Sequence, residues 1–195
     1  RHVGPNITMV RLSCDGRVVR SLLSIEEIAE IDFPPEPDFL AGDTDDLAIG
    51  DLPPVEELAE DARMAEDNGI HSLWLSEHHA YYDGYCPALM PAAAAALAAT
   101  ESIQIGTGVL LLPLHEPHRV ANAANLLNEQ SSGRFHLGVG MGYRPIEFEI
   151  KQRDMSQRLK LMNAGLDALH STTQTPTWVG ISSEKAAERA GRRGL

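Results

Sequence analysis

The sequence predicts an α/β protein built on a parallel sheet. Three apolar segments typical of strands begin near residues 71, 103 and 135, and this spacing of 32 residues is the length of one strand plus one helix. Segments with a helical spacing of apolar residues separate them. Polar residues cluster after three strand ends, at 77–79, 115–118 and 140–144. A doubly wound sheet and a (β/α) barrel both match this pattern, and both place sites at the carboxyl ends of the strands.

The predicted elements follow one another closely from Pro53 onward. Pro53 opens a first helix, which Gly69 ends before a strand at 70–75. A helix at 87–100 precedes a buried strand at 103–112, and a helix opened by Pro117 precedes a strand at 135–140. The series closes with a helix at 154–170, a strand at 177–180 and a helix at 183–191.

The first 50 residues differ from the rest of the chain. Residues 6–12 alternate in a way that suits a strand, whereas residues 32–51 are rich in Pro, Asp and Gly and predict a loop or a poorly ordered linker. We therefore divide the chain into an atypical N-terminal segment, residues 1–50, and an α/β unit, residues 51–195.

Composition and charge exclude several classes of protein. A net charge of −12 and a pI near 5.0 argue against a nucleic-acid partner. Two cysteines are too few for a disulfide framework. The alanine-rich stretch 87–99 is too short to span a bilayer, and the N-terminus lacks the apolar core of a signal peptide. We expect a cytoplasmic protein that binds neither nucleic acid nor membranes.

The tetrapeptide at 76–79 is the strongest candidate site. Glu77, His78 and His79 leave the strand at 70–75, and charged side chains are seldom buried without partners. Alternation along an extended chain places Glu77 and His79 on one side and His78 on the other. An imidazole at the mouth of the sheet can exchange a proton near neutral pH. The alternative is a supporting histidine that hydrogen-bonds a buried acid.

Two further groups of residues leave alternatives open. His115 and His118 are three residues apart, which suits a metal site, although solvated loop histidines explain them better and we expect no metal. Arg119 stands in the first turn of a helix, where a bound anion would compensate its charge. An ordinary surface arginine fits equally well.

The glycines and serines near the strand ends have both a ligand-binding and a structural interpretation. The GTG and GVGMG segments lack the dinucleotide-binding fingerprint, so a Rossmann fold is rejected. Glycine inside a strand indicates close approach of a ligand or of another backbone. Ser182 precedes a helix and suits either a phosphate site or, like Ser183, an N-cap.

Three segments together resemble the bacterial luciferase-like, flavin-dependent monooxygenase family. They are GIHSLWLSEHH (69–79), ESIQIGTGVLLLPLHEPHRVANAANLLNEQSSGRFHLGVGMGY (101–143) and TPTWVGISSEKAAERAGRRG (175–194). The resemblance implies a (β/α)8 barrel of the TIM type, of which about four to five βα units are present.

The resemblance also implies a cofactor and roles for seven residues. Members bind reduced FMN, or in some branches F420, at the carboxyl ends of the strands. They use the reduced flavin and O2 to oxygenate a small organic substrate. The family pattern makes His78 the catalytic histidine, with Glu77 and His79 beside it, and places Leu111 against the isoalloxazine ring. Arg119, Arg134 and Ser182 match positions near the flavin phosphate. A reductase that supplies reduced flavin and a homodimer are further expectations.

The chain departs from the family pattern in several places. Asn128 and Glu129 replace the usual residues of the LLDQxSxGR segment, and the first barrel strand is not recognisable before Pro53. A complete barrel needs about 250 residues. We therefore expect a fragment, a truncated product or a half-barrel that needs a partner. Two readings compete with a monooxygenase: a non-catalytic flavin-binding relative, and a metal-dependent barrel hydrolase that uses His78, His79, His115 and His118.

Overall fold

A computed structural model describes residues 9–12, 55–80 and 86–195 of the chain. Its strands are β1 (Met9–Leu12), β2 (Ser72–Leu75), β3 (Gln104–Thr107), β4 (Leu110–Leu111), β5 (Phe135–Gly140) and β6 (Thr177–Val179). Its helices are α1 (Val55–Asp67), α2 (Leu89–Ala99), α3 (Pro117–Gln130), α4 (Pro145–Ile150), α5 (Arg158–Thr172) and α6 (Glu184–Gly191). Short 3-10 turns cover Leu112–Leu114 and Met155–Gln157.

All described strand pairs are parallel, which confirms the predicted sheet. β1 pairs with β2, β2 with β3, and β3 with β5. β4 also pairs with β5, further along that strand, and β6 pairs with β5 as well. Because every strand runs the same way, the residues that follow β2, β4, β5 and β6 all lie at the carboxyl edge of the sheet.

Several element boundaries differ from the prediction. The strand predicted at 103–112 is interrupted, since β3 ends at Thr107 and β4 begins at Leu110, with a cis peptide bond between Gly108 and Val109. The helix predicted at 154–170 starts later, at Arg158, after a 3-10 turn. Helix α4 was not predicted.

The N-terminal prediction is corrected in one respect. β1 lies beside β2 in parallel register, with Val10 opposite Leu73, so a first strand does precede Pro53. This strand falls within the predicted 6–12 segment. The predicted loop at 32–51 and the division of the chain at residue 50 lie outside the described residues.

The main core lies between one face of the sheet and the helices. Leu73, Leu75 and Ile105 of the sheet are fully buried, and small helical residues such as Ala62 and Ala93 let the helices approach closely. Gly69 ends the turn after α1 with a φ of 74°, a conformation that glycine adopts without steric cost. The predicted stop at this position is confirmed.

The opposite face of the sheet carries an aromatic layer. The Trp74 ring lies 6.0 Å from His136 and 6.2 Å from Trp178, measured between ring centroids. Trp178 Nε1 donates a hydrogen bond to His136 Nδ1 at 3.3 Å. A Cβ at Gly106 would collide with the Trp74 ring, so glycine is required there by internal packing. Among helices in the described ranges, none is long and apolar enough to cross a membrane.

Candidate active site at the carboxyl edge of the sheet

Glu77 is the centre of a buried hydrogen-bond cluster at the exit of β2. Its side chain is fully buried, and its Oε1 accepts hydrogen bonds from His79 Nε2 and His115 Nε2, both at 2.7 Å. Its Oε2 accepts from the backbone N–H of Leu111 at 2.6 Å. One carboxylate therefore joins the exit of β2 to β4 and to the loop after the 3-10 turn.

The hydrogen bonds to Glu77 decide its charge. Burial alone would raise its pKa, but the hydrogen bonds from His115, His79 and Leu111 lower the pKa of Glu77 to about 2. Glu77 is therefore ionised at neutral pH, and both imidazoles donate to it because a carboxylate can only accept.

Glu147 of α4 forms a second cluster around His78. Its Oε1 accepts from His78 Nδ1 at 3.0 Å and from the backbone N–H of His79 at 3.0 Å. Glu147 is completely buried, and its Oε2 has no hydrogen-bond partner among the described residues. Glu77 and His79 thus lie together while His78 points to another partner, as alternation predicts.

Arg144 and Tyr143 complete the surroundings of His78. Arg144 Nη1 donates to the carbonyl of His79 at 2.9 Å and to Glu147 Oε1 at 3.4 Å. The Tyr143 ring lies edge-on to His78, with centroids 6.2 Å apart, and is exposed. Arg144 and Tyr143 thus place a cation and an exposed ring beside the buried imidazole of His78.

The other residues expected at the site are dispersed. Leu111 reaches the cluster through its backbone, while its side chain is buried with Leu114 and Phe148. Arg119 and Ser182 are exposed and follow β4 and β6, so they lie at the carboxyl edge. Their roles near a phosphate stay predictions.

Arg134 is not brought to the cluster, and its expected position near the phosphate is corrected. It precedes β5 and therefore lies at the amino edge of the sheet. Its guanidinium donates to the carbonyls of Leu97, Thr100 and Ile103 and to the Thr100 hydroxyl, at 3.0–3.1 Å. Arg134 thus satisfies the last carbonyls of α2 and the turn after it.

The structure also shows which side chains cap the starts of α3 and α6. The carboxylate of Glu116 accepts from the backbone N–H groups of His118 and Arg119, so the chain itself supplies an anion at the start of α3. These hydrogen bonds lower the pKa of Glu116. Ser183 is the N-cap of α6, where its hydroxyl accepts from Ala186 N.

The strand glycines serve internal packing. A Cβ at Gly138 would collide with the carbonyl of Thr107, and one at Gly140 would collide with Val109. The close approach at Gly138 is therefore that of the neighbouring strand β3, and the close approach at Gly140 is that of the Val109 side chain.

The site contains residues that sequence reasoning missed. Glu147 and Arg144 lie 69 and 66 positions from His78, and no local motif connects them to it. The sequence predicts a loop or metal residue at His115, whereas the structure makes it a partner of Glu77. Within the residues that the structure describes, no group of three or more His, Cys, Asp or Glu side chains is placed to hold a metal ion.

Solved structures resemble this fold. The monooxygenase RslO1 from Streptomyces bottropensis has a TM-score of 0.64 and 25% identity, over 72% of this chain and 51% of that one. The oxygenating constituent of 3,6-diketocamphane monooxygenase from Pseudomonas putida, solved with FMN, has a TM-score of 0.56 and 24% identity. This match covers 60% of this chain and 34% of that one. An F420-dependent secondary alcohol dehydrogenase has a TM-score of 0.61 and 22% identity, over 71% and 51%. The described residues have the fold of part of a (β/α)8 barrel, as expected.

Curated relatives are similar in sequence. The uncharacterized protein y4vJ of Sinorhizobium fredii is 31% identical, over 69% of this chain and 46% of that protein. The alkanal monooxygenase alpha chain of the Kryptophanaron alfredi symbiont is 33% identical, over 59% of this chain and 32% of that protein. The oxygenase component of the flavin-dependent trigonelline monooxygenase of Acinetobacter baylyi is 29% identical, over 48% and 26%. In each case the aligned part is less than half of the relative.

The family itself is identified by a direct match. The family model for luciferase-like monooxygenases matches residues 38–175, more than two thirds of the chain, and this range contains Glu77, His78, His79, His115 and Glu147. The chain therefore belongs to the luciferase-like monooxygenase family.

Proposed function

We propose that the carboxyl-edge cluster is part of the active site of a flavin-dependent monooxygenase, which uses reduced FMN and O2 to oxygenate a small organic substrate. The observation that carries this proposal is the buried His78–Glu147 pair at the exit of β2, in a member of the luciferase-like monooxygenase family. A histidine that is held by a carboxylate and lies beside an exposed aromatic ring suits proton transfer to a bound ligand.

The residues at the carboxyl edge fit reduced FMN in their chemistry. In the proposal the end of β4 at Leu111 lies against the ring, and His78 offers a proton-exchanging group. Arg119 supplies a cation and Ser182 a hydroxyl, and both are exposed at the same edge, where the FMN phosphate would need them. Arg134 does not belong to this set, because its donors bind backbone carbonyls at the other edge.

The proposed reaction moves protons as well as electrons, and the protein handles one of these protons. When it is bound, the reduced flavin supplies two electrons, so that one atom of O2 enters the substrate and the other leaves as water. In the proposal, His78 exchanges the proton that this departure requires. Glu77 and His79 hold the exit of β2 in place, and the buried residues around them exclude water.

FMN is preferred to F420 in this proposal. The alkanal and trigonelline enzymes are named as monooxygenases, and one similar structure contains FMN. F420 remains the alternative, since another similar structure belongs to an F420-dependent dehydrogenase. A separate reductase as the source of reduced flavin agrees with the trigonelline relative, which is named as an oxygenase component. The homodimer and the cytoplasmic location stay predictions.

The test is turnover with a supplied reductant. The purified chain is mixed with FMN, NADH and a flavin reductase, and product is measured with aliphatic aldehydes as trial substrates, the class named by the alkanal relatives. We expect oxygenated product above the level of a reaction without the chain. His78→Ala should lower this rate by at least about 100-fold, the usual scale for a lost acid or base, and leave FMN binding largely intact.

His170→Ala is the matched control, because His170 is exposed in the last turn of α5. Equal product formation by His78→Ala and the wild type would remove His78 from the reaction. Saturable FMN binding without product would support a non-catalytic flavin-binding relative, and a stoichiometric metal would support the hydrolase.

A further inference from the structure

Glu147 joins a distant helix to the candidate histidine. It lies on α4, whereas His78 follows β2, and their side chains meet at 3.0 Å. The contact is buried on both sides, since His78 is 6% exposed and Glu147 is 0% exposed. Water therefore competes little for either partner, and the geometry of the imidazole depends on this carboxylate.

The donors around Glu147 determine which nitrogen of His78 carries the proton. Its Oε1 also accepts from the backbone N–H of His79 and from Arg144 Nη1. An oxygen that accepts from these two donors acts as an acceptor toward the third, so His78 Nδ1 is the donor. In the neutral imidazole the proton then resides on Nδ1, and Nε2 is the basic nitrogen.

Arg144 makes the arrangement rigid. It donates to the carbonyl of His79, while Glu147 accepts from the N–H of the same residue. The backbone of His79 is therefore held at both its N–H and its C=O by two side chains of one short segment. This prevents the chain after β2 from rotating and fixes the direction of the His78 ring.

The two buried carboxylates of the site, Glu77 and Glu147, differ in how many of their oxygens accept hydrogen bonds. Glu77 has hydrogen bonds at both oxygens, as expected of a carboxylate that joins segments of the fold. Glu147 has a buried Oε2 with no partner among the described residues. A buried oxygen without a partner is unfavourable, so a carboxylate kept there points to a role beyond packing.

We propose that Glu147 is the positioning residue of His78: its Oε1 holds the proton on Nδ1 and fixes the ring, which makes Nε2 the unprotonated nitrogen. The reactive part of this inference rests on the proposed function, in which His78 exchanges a proton during oxygenation. The tautomer and orientation of His78 do not depend on that function.

The tautomer is measured directly on the full chain. The protein is labelled with 15N-histidine, and long-range 15N–1H correlation spectra are recorded at a pH at which the ring is neutral. The His78→Ala spectrum identifies the signal of His78 by its absence. We expect a protonated Nδ1 and an unprotonated Nε2 in the wild type. A proton on Nε2 would overturn the proposal, whatever the activity.

The variant Glu147→Gln adds a functional readout. We expect the Nδ1-protonated form of His78 to lose its dominance, and oxygenation to fall about 10- to 100-fold, the usual effect of removing such a partner. Affinity for reduced FMN should change by less than about twofold, because only the proton step is affected. Glu149→Gln is the matched control, since Glu149 is an exposed carboxylate of the same helix.

The outcomes separate the two claims. An unchanged tautomer together with full oxygenation in Glu147→Gln would overturn the positioning role. If the wild type neither binds flavin nor forms product, the proposed function fails, while a protonated Nδ1 still supports the positioning of His78. If Glu147→Gln does not fold, judged by circular dichroism, the wild-type spectrum alone decides.

Discussion

Glu77 Oε1 lies 2.7 Å from His115 Nε2, although the two residues are 38 positions apart in the chain. This contact joins the exit of β2 to the loop that leads into α3. The same oxygen accepts from His79, so a single carboxylate organises two segments at the carboxyl edge of the sheet. The stability of this edge therefore depends on the charge of Glu77.

Acid should weaken the fold through Glu77. A pKa lowered to about 2 means that the ionised form is stabilised by folding. This contribution, about 3 kcal/mol for a buried group with such a shift, is fully present above about pH 4.5 and is lost as the pH falls toward 2. Urea unfolding at a series of pH values should show a steeper loss for the wild type than for Glu77→Gln over this window.

The control for this prediction is Glu129→Gln, which changes an exposed carboxylate on α3. It should keep the steep loss of the wild type. Parallel curves for the wild type and Glu77→Gln would show that the histidine contacts do not stabilise the ionised carboxylate.

Arg134 should matter for stability. Arg134→Ala leaves the carbonyls of Leu97, Thr100 and Ile103 without their donor, and we expect a loss of about 2–3 kcal/mol in the free energy of unfolding. Arg153→Ala, which removes an exposed arginine, should leave stability nearly unchanged. Thermal and urea unfolding measure both effects. A stable Arg134→Ala variant with weakened FMN affinity would instead support the phosphate role expected from the family.

Arg119 provides the test of the phosphate position. If its guanidinium contacts the phosphate, Arg119→Ala should weaken FMN by about tenfold or more and riboflavin far less, because riboflavin lacks the phosphate charge. Fluorescence titration with both ligands measures the difference. Equal losses for FMN and riboflavin would rule out this role.

Much of the fold was predictable because it depends on local periodicity. The repeat of 32 residues predicts parallel strands, which the structure contains, and Gly69 ends the first helix as predicted. The interruption of the strand at Gly108 and Val109 was not predictable, since residues 103–112 are mostly apolar and typical of one continuous strand. Helix α4 has only six residues and alternates apolar and acidic positions, which gives no helical stripe.

The site was predictable only in part, for a physical reason. Glu77, His78 and His79 are adjacent and follow a strand, so their local pattern marks them. Glu147 is 69 positions from His78 in the chain, and the two residues meet only because α4 packs beside the exit of β2. No local sequence pattern predicts where α4 packs. For Arg134 the local motif was recognised, but only the structure shows that its donors face the turn after α2.

The central claim is that a flavin binds beside His78. The most direct measurement is an anaerobic titration of the 15N-histidine-labelled chain with reduced FMN, in which the imidazole signals are followed. We predict saturable shifts of His78 at tens of micromolar or below, with His170 unchanged. No binding of reduced FMN or F420 in this range, or binding that leaves His78 unshifted, would contradict the account.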